Sequence, residues 1–133
     1  MQSKSVSSSE NKQIFKSRNI LLSQLKEQNF NVSEYENINI MEIAVMIDKE
    51  QLDMLIQHNT DDKKCYIKYF TGKSLRISNI TDFIDDLFLQ EEILNKKTDD
   101  LIIIVKDEPN DTLIRNLKDL WEQNKYFIRV ISR

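Results

Sequence analysis

Hydrophobic and polar positions alternate along this chain with two periods, and the switches between them mark its elements. From Gln13 the period is helical: Ile14, Leu21, Leu22 and Leu25 fall on one side with Phe15 beside them, while Lys16, Gln24 and Lys26 face away. This helix is expected to stop near Asn29, a residue that tolerates the left-handed cap conformation. Phe30 and Val32 then alternate inward. Ser33-Glu34-Tyr35-Glu36 has capping-box spacing, and Asn39 with Glu42 repeats it ahead of Met41–Ile47. That segment is so apolar that a helix and a strand both fit, and we read it as a short helix. Leu52, Met54 and Ile56 alternate with Gln51, Asp53 and Gln57, and Cys65, Ile67 and Tyr69 with Tyr66, Lys68 and Phe70. These two strands, joined by the polar turn Asn59–Lys64, predict an antiparallel hairpin. Thr71-Gly72-Lys73 ends it, and Leu75–Ile77 is expected to add a short extended piece.

The second half follows one plan twice. Ile80, Phe83, Ile84, Leu87, Phe88 and Leu94 repeat at helical spacing, with Ser78 or Thr81 expected as the cap. Leu101-Ile102-Ile103-Ile104-Val105 follows, an unbroken apolar run between acidic flanks. A strand without alternation must be covered on both faces, as in the interior of a parallel or mixed sheet. After Pro109, Leu113, Ile114, Leu117, Leu120 and Trp121 share one face of a last helix, Asn124-Lys125 turns the chain, and Tyr126–Ile131 alternates as a last strand. The pattern predicts an α/β domain: a mixed four-stranded sheet with helices on both faces, the N-terminal helix packed on it, and both later crossovers right-handed. Residues 1–12 are Ser-, Lys- and Gln-rich with almost nothing to bury and are expected to be a disordered tail. The domain is then 13–133.

Composition narrows the chemistry. The chain has 133 residues, which suits one core, and its single Gly and single Pro argue against a turn-rich sandwich or barrel and against Gly-rich phosphate loops. With a net charge of -3, whole-chain attraction to nucleic acid is not expected. One Cys and one His form neither an internal disulfide nor a metal site of those ligands, and fit a reducing compartment. No stretch approaches the roughly 20 apolar residues of a membrane span, and no secretory leader is visible. The Asn-x-Ser/Thr triplets at Asn31, Asn79 and Asn110 are expected by chance in an Asn-rich chain.

Each catalytic constellation the residues suggest has a plainer reading. Gly72-Lys73-Ser74 ends like a phosphate-binding loop, but the earlier Gly would fall on Ile67, so a solvated turn is preferred. A two-metal nuclease site would need an Asp on one strand and acid-x-Lys on the next. Asp53 lies on the first strand and Asp62-Lys63-Lys64 has the spacing, yet Asp62 falls in the hairpin turn; two residues before Lys68 stands Tyr66, and before Lys106, Ile104. We therefore expect a nuclease-shaped fold with no catalytic residues, no metal and no cofactor. His58 is read as a surface residue, Cys65 as a small apolar packer, and Trp121 as core. The acidic pairs Asp61-Asp62, Asp85-Asp86, Glu91-Glu92 and Asp99-Asp100 are assigned to solvated turns and helix faces.

Some of these residues carry a resemblance. Phe15-Lys16-Ser17-Arg18-Asn19-Ile20-Leu21-Leu22, with Leu25 and Phe30-Asn31-Val32-Ser33, resembles the first helix of the fifth subunit of eukaryotic nuclear RNA polymerases, with its mid-helix Arg and aromatic-x-Val exit. Asp53-Met54-Leu55-Ile56 and Tyr66-Ile67-Lys68-Tyr69-Phe70 are similar to that subunit's first strand pair, and Leu101–Lys106 with Pro109-Asn110-Asp111 to its central strand and the loop after it. The similarity spans roughly Ile14–Arg133 and lies in order and spacing more than in any one motif. It implies a restriction-endonuclease-like domain without catalysis, part of the lower jaw that holds downstream duplex DNA. The implied partners are the other polymerase subunits, chiefly the largest, with no membrane and an isolated domain that is monomeric. The implied DNA-proximal loop is Glu108, Pro109, Asn110, Asp111 and Thr112, where the family typically reads Thr-Pro-Ser-Ala and only Pro109 matches. The family's C-terminal assembly domain would follow Arg133. The implied location is the nucleus or, for a large DNA virus of AT-rich genome, a cytoplasmic viral factory or virion. A divergent metal-dependent nuclease of the same fold and a generic protein-interaction module are the alternatives.

Overall fold

The computed structural model describes residues 8–71 and 74–133. Its elements are helix α1 (Ser8–Glu27), helix α2 (Ile40–Asp48), strands β1 (Met54–Gln57) and β2 (Lys64–Tyr69), helix α3 (Ile77–Ile84), strand β3 (Asp100–Val105), helix α4 (Asp111–Asp119) and strand β4 (Ile128–Ser132). The strands form one sheet in the order β1-β2-β3-β4. β1 and β2 are antiparallel, with Ile56 opposite Cys65; β2–β3 and β3–β4 are parallel, with Ile67 opposite Ile102 and Ile103 opposite Val130. The α/β class and the mixed four-stranded sheet agree with the periodicity.

The unbroken apolar run of β3 is covered on both sides. Ile102 and Ile104 join α1, α2, β1 and β2 in one core, which holds Leu22, Leu25, Ile43, Met54 and Ile67. Leu101, Ile103 and Val105 join α3 and α4 in the other, with Ile80, Phe88 and Leu113. Several local signals act as the sequence suggests. Asn29 takes φ 69° at the end of α1. Asn39 and Glu42 close a reciprocal capping box, Glu42 N donating to Asn39 Oδ1 at 2.9 Å and Asn39 N to Glu42 Oε1 at 3.1 Å, so the ambiguous apolar segment is a helix.

Other expectations are corrected. Helix α1 begins at Ser8, inside the stretch assigned to a disordered tail; residues 1–7 lie outside the described residues. Ser33–Glu36 forms turns rather than a helix start, and Asn31 Oδ1 accepts from Ser33 N and Oγ there. Neither Ser78 nor Thr81 caps α3. The cap position is Arg76, whose N–H donates to Asn79 Oδ1 at 2.9 Å, while the Thr81 hydroxyl donates back to Ile77 O. Leu75 and Arg76 lead into that helix without joining the sheet. The expected turn at Gly72-Lys73 lies outside the described residues.

Both later helices widen at their ends, α3 into π-helical turns over Asp85–Gln90 and α4 over Leu120–Asn124. Residues in i→i+5 turns advance through a smaller angle than in an α-helix, so a stripe extrapolated at 3.6 residues per turn falls out of phase. The helix after Ile80 consequently ends at Gln90, and Leu94 is buried from the following loop, its N–H donating to Leu87 O. Leu120 packs against the second core, and Trp121, expected inside, is 48% exposed.

Candidate functional site

Asp53, the carboxylate weighed for a two-metal site, lies where the start of β1 meets the far end of β2. Asp53 stands immediately before β1, one residue short of the strand position expected. Antiparallel pairing of Met54 with Ile67 and Leu55 with Tyr66 brings its carboxylate over β2. Oδ1 accepts from Tyr69 N at 2.9 Å; Oδ2 accepts from the Tyr66 hydroxyl at 3.3 Å and lies 3.0 Å from Lys68 Nζ. Lys68 Nζ also stands 5.3 Å from the centroid of Phe83. A cleft of about 330 Å³ opens beside them, lined by Glu50, Asp53, Lys68, Tyr69, Asn79 and Phe83. Burial, and then the negative charge and hydrogen bond of Asp53, push the Tyr66 phenol up to about 12. Tyr66 is therefore a neutral donor at physiological pH, standing where acid-x-Lys would place the second carboxylate.

The other nuclease candidates are not brought to this point. Asp62 is exposed in the hairpin turn, at the opposite end of the strand pair, and Lys63 and Lys64 reach instead toward Asp100 (3.4 Å) and Asp99 (3.8 Å). Lys106 lies 4.0 Å from Glu10 of α1. Among the described residues no group of three or more His, Cys, Asp or Glu side chains is placed to hold a metal ion.

The loop from Lys106 to α4 leaves the carboxyl end of β3, where open α/β sheets meet ligands. Its charge is acidic, from Asp107, Glu108 and Asp111. Asn110 is the N-cap, accepting from Leu113 N at 2.8 Å, and Asp111 is the first helical residue. Glu108 accepts from the Ser132 hydroxyl at 2.8 Å, which ties the loop to the end of β4. Pro109 and Asn110 border a small cleft of about 80 Å³, and Thr112 is exposed on the first turn. The loop is thus held to the fold at Glu108 and Asn110, with Asp111 exposed.

Two polar residues differ from their expected roles, and a third, Arg18, had none assigned. Asp99, assigned to a solvated turn, is 2% exposed; it accepts from Lys64 N (2.8 Å), Asn95 N (2.7 Å) and the Thr98 hydroxyl (3.0 Å). His58, read as a surface residue, is built into the α1 exit. Its Nδ1 faces the N–H groups of Thr60 (3.2 Å) and Asp61 (3.0 Å), so the proton sits on Nε2 and is donated to Gln28 O at 3.1 Å, while Phe30 packs against the ring at 5.0 Å. Arg18, the mid-helix Arg of α1, is 1% exposed and donates from Nη1 to Tyr35 O at 2.9 Å. Burial lowers its pKa from the ordinary value, against the raising effect of the Tyr69 and Tyr35 phenols. The spacing Ile14-Arg18-Leu22-Leu25 does place Arg18 on the buried stripe, and that was the available signal. Cys65 is buried as expected, and burial pushes its thiol up to about 12. The remaining acidic pairs, Asp61-Asp62, Asp85-Asp86 and Glu91-Glu92, are exposed.

No helix among the described residues is long and apolar enough to cross a membrane. No family model matches the chain, and no curated protein matches it significantly.

Proposed function

We propose that this chain is a non-catalytic jaw domain of the fifth-subunit type, with a restriction-endonuclease-like arrangement, working inside a multisubunit DNA-directed RNA polymerase beside downstream DNA. The observation that carries the reading is the wiring of Asp53. Metal-dependent phosphodiester cleavage requires carboxylate oxygens free to bind the ion. Here both Asp53 oxygens accept hydrogen bonds, from Tyr69 N and the Tyr66 hydroxyl, and Lys68 is spent as a counter-ion. Such a domain contributes surface and position, and its partners are other polymerase subunits, chiefly the largest. The acidic loop Asp107–Thr112 approaches DNA only where neighbouring subunits supply positive charge.

Two measurements test this. Tagged chain expressed in its source cells should co-purify with the largest polymerase subunits; recovery without them would refute the reading. Purified protein with Mg²⁺ or Mn²⁺ should leave DNA and RNA uncut, and metal-dependent cutting abolished by Asp53→Asn would establish the nuclease alternative instead.

A further inference from the structure

The sheet has two edge strands; β1 is met by Asn31 N on Gln57 O and by the Tyr35 hydroxyl on Leu55, whereas among the described residues no such cover lies on the β4 flank. β4 is an edge strand, paired on one side only with β3. Ile128 and Val130 pack against the α3–α4 core. The alternate residues Phe127, Arg129 and Ile131 point to the other face, since Arg129 pairs with Ile102 and Ile131 with Ile104 of the α1 core. Helix α1 reaches this flank at its far end, where Glu10 lies 3.7 Å from Arg133. Phe127, Arg129 and Ile131 remain exposed, and the π-helical turn after α4 sets Trp121 edge-to-face against Phe127 at 5.7 Å.

Charge and backbone direction narrow what this flank can receive. Three cations lie over its rings, Lys96 over Tyr126, Lys125 over Trp121 and Arg129 over Phe127, at 5.1, 5.5 and 5.8 Å, while at the far end of β4 the acids Glu10 and Glu108 are engaged by Arg133 and by the Ser132 hydroxyl. The chain as a whole carries -3. Phe127 O accepts from Leu101 N and Arg133 N donates to Val105 O, so the odd-numbered residues turn their backbone groups to β3. By strand alternation, Ile128, Val130 and Ser132 direct theirs to the free edge.

We propose that the free edge and open face of β4 dock an extended acidic segment of a partner protein, which adds as a further strand and sets apolar side chains against Phe127, Ile131 and Trp121 while its carboxylates meet Arg129 and Lys125. Edge donors and acceptors supply main-chain pairing, and the alternating face supplies selectivity. A second copy of this chain fits less well, because β4 against β4 gathers like charges along one seam. Single-stranded nucleic acid also fits less well. The cations already occupy ring faces that bases would need, and Ile131 offers nothing to stack on. The inference does not depend on the polymerase reading.

The single Trp makes the site its own reporter. The probe is a short synthetic peptide alternating Glu and Val. It should bind saturably, change Trp121 fluorescence, and shift the amide resonances of Ile128, Val130 and Ser132. N-methylation of the peptide's alternate, edge-facing amides should weaken binding by roughly tenfold or more, because two or three main-chain hydrogen bonds are lost. Arg129→Glu should weaken it by about tenfold and transfer preference to the matching Lys–Val peptide. Failure of the Glu–Val peptide to bind, or undiminished binding of the N-methylated one, overturns the proposal without any variant having to fold. Tighter binding of oligothymidylate with a steep salt dependence would overturn it in favour of nucleic acid. Concentration-dependent self-association that shifts the β4 resonances would do so in favour of a second copy.

Discussion

Deleting the Asp99 carboxylate should destabilise this fold more than any other single change at a charged residue. Asp99 ends the Asn95–Asp99 turn, whose backbone folds back through Thr98 N and Asp99 N to Asn95 O. From there it accepts from Asn95 N in its own turn and from Lys64 N at the start of β2. It therefore links the entry of β3 to the entry of β2, next to the pair Cys65–Asp100 where their parallel register begins. Each hydrogen bond to a buried ion is worth about 1.5–3 kcal/mol, but three that share one carboxylate are not additive. Asp99→Ala strands two backbone N–H groups and a hydroxyl, and should lose about 4 kcal/mol, in the range for breaking a buried charged network by removing one partner. Asp99→Asn keeps the shape and one acceptor oxygen but turns an N–H₂ group toward a backbone N–H, and should lose about 2 kcal/mol. Lys64→Met, removing a partly exposed ammonium 3.8 Å away, should lose under about 1 kcal/mol. Urea unfolding followed by far-ultraviolet circular dichroism is the assay, because exposed Trp121 reports unfolding poorly. With a slope of about 2 kcal/mol per molar, the Ala variant's midpoint should fall by about 2 M. An Asn variant within about 0.5 kcal/mol of the parent would show that the carboxylate is not holding the two strand entries together.

Three weak acids, Cys65 and Tyr69 buried and Tyr66 partly so, predict alkaline sensitivity. Burial pushes Cys65 up from 9.0 to about 12, and Tyr66 and Tyr69 from 10.0 to about 12. The unfolded chain loses these protons first, so the folded state holds more of them and stability falls as pH rises from about 9 toward about 12, with no contribution from these groups at pH 7. Unfolding free energies flat between pH 8 and pH 11, on any scale resolving about 1 kcal/mol, would contradict this. Native Cys65 should also resist thiol reagents at pH 8 and react fully in denaturant; rapid labelling of the native protein would show that the first core opens. At the α4 cap, Asn110→Ala should lose about 1 kcal/mol, while Asp111→Ala, whose side chain makes no cap bond, should lose no more than about half of that. Equal losses measured by thermal unfolding would show that Asp111 supports the helix N-terminus as much as Asn110 does.

Much of this fold was readable without coordinates. A short β-branched apolar run with no alternation, set between acidic flanks and two helical patterns, reads as a strand covered on both faces, and β3 feeds two cores from alternate residues. The alternation of β1, β2 and β4, the capping box at Asn39 and Glu42, and the left-handed Asn29 were equally local. Each depends on residues within a few positions of one another. Tertiary structure alone decided the rest. Asp99 is buried because its acceptors meet a backbone N–H 35 residues away. His58 is half-buried because α1 ends against it, 30 residues upstream, and Asp53 is occupied because strand pairing delivers Tyr66, Lys68 and Tyr69 to it. Whether a polar side chain is solvated or enclosed depends on partners distant in sequence, and periodicity carries no record of them. Trp121 was misplaced for the complementary reason: a π-helical turn shifts the phase of a stripe, and it begins at Leu120, which packs against the second core, and ends at the left-handed Lys125.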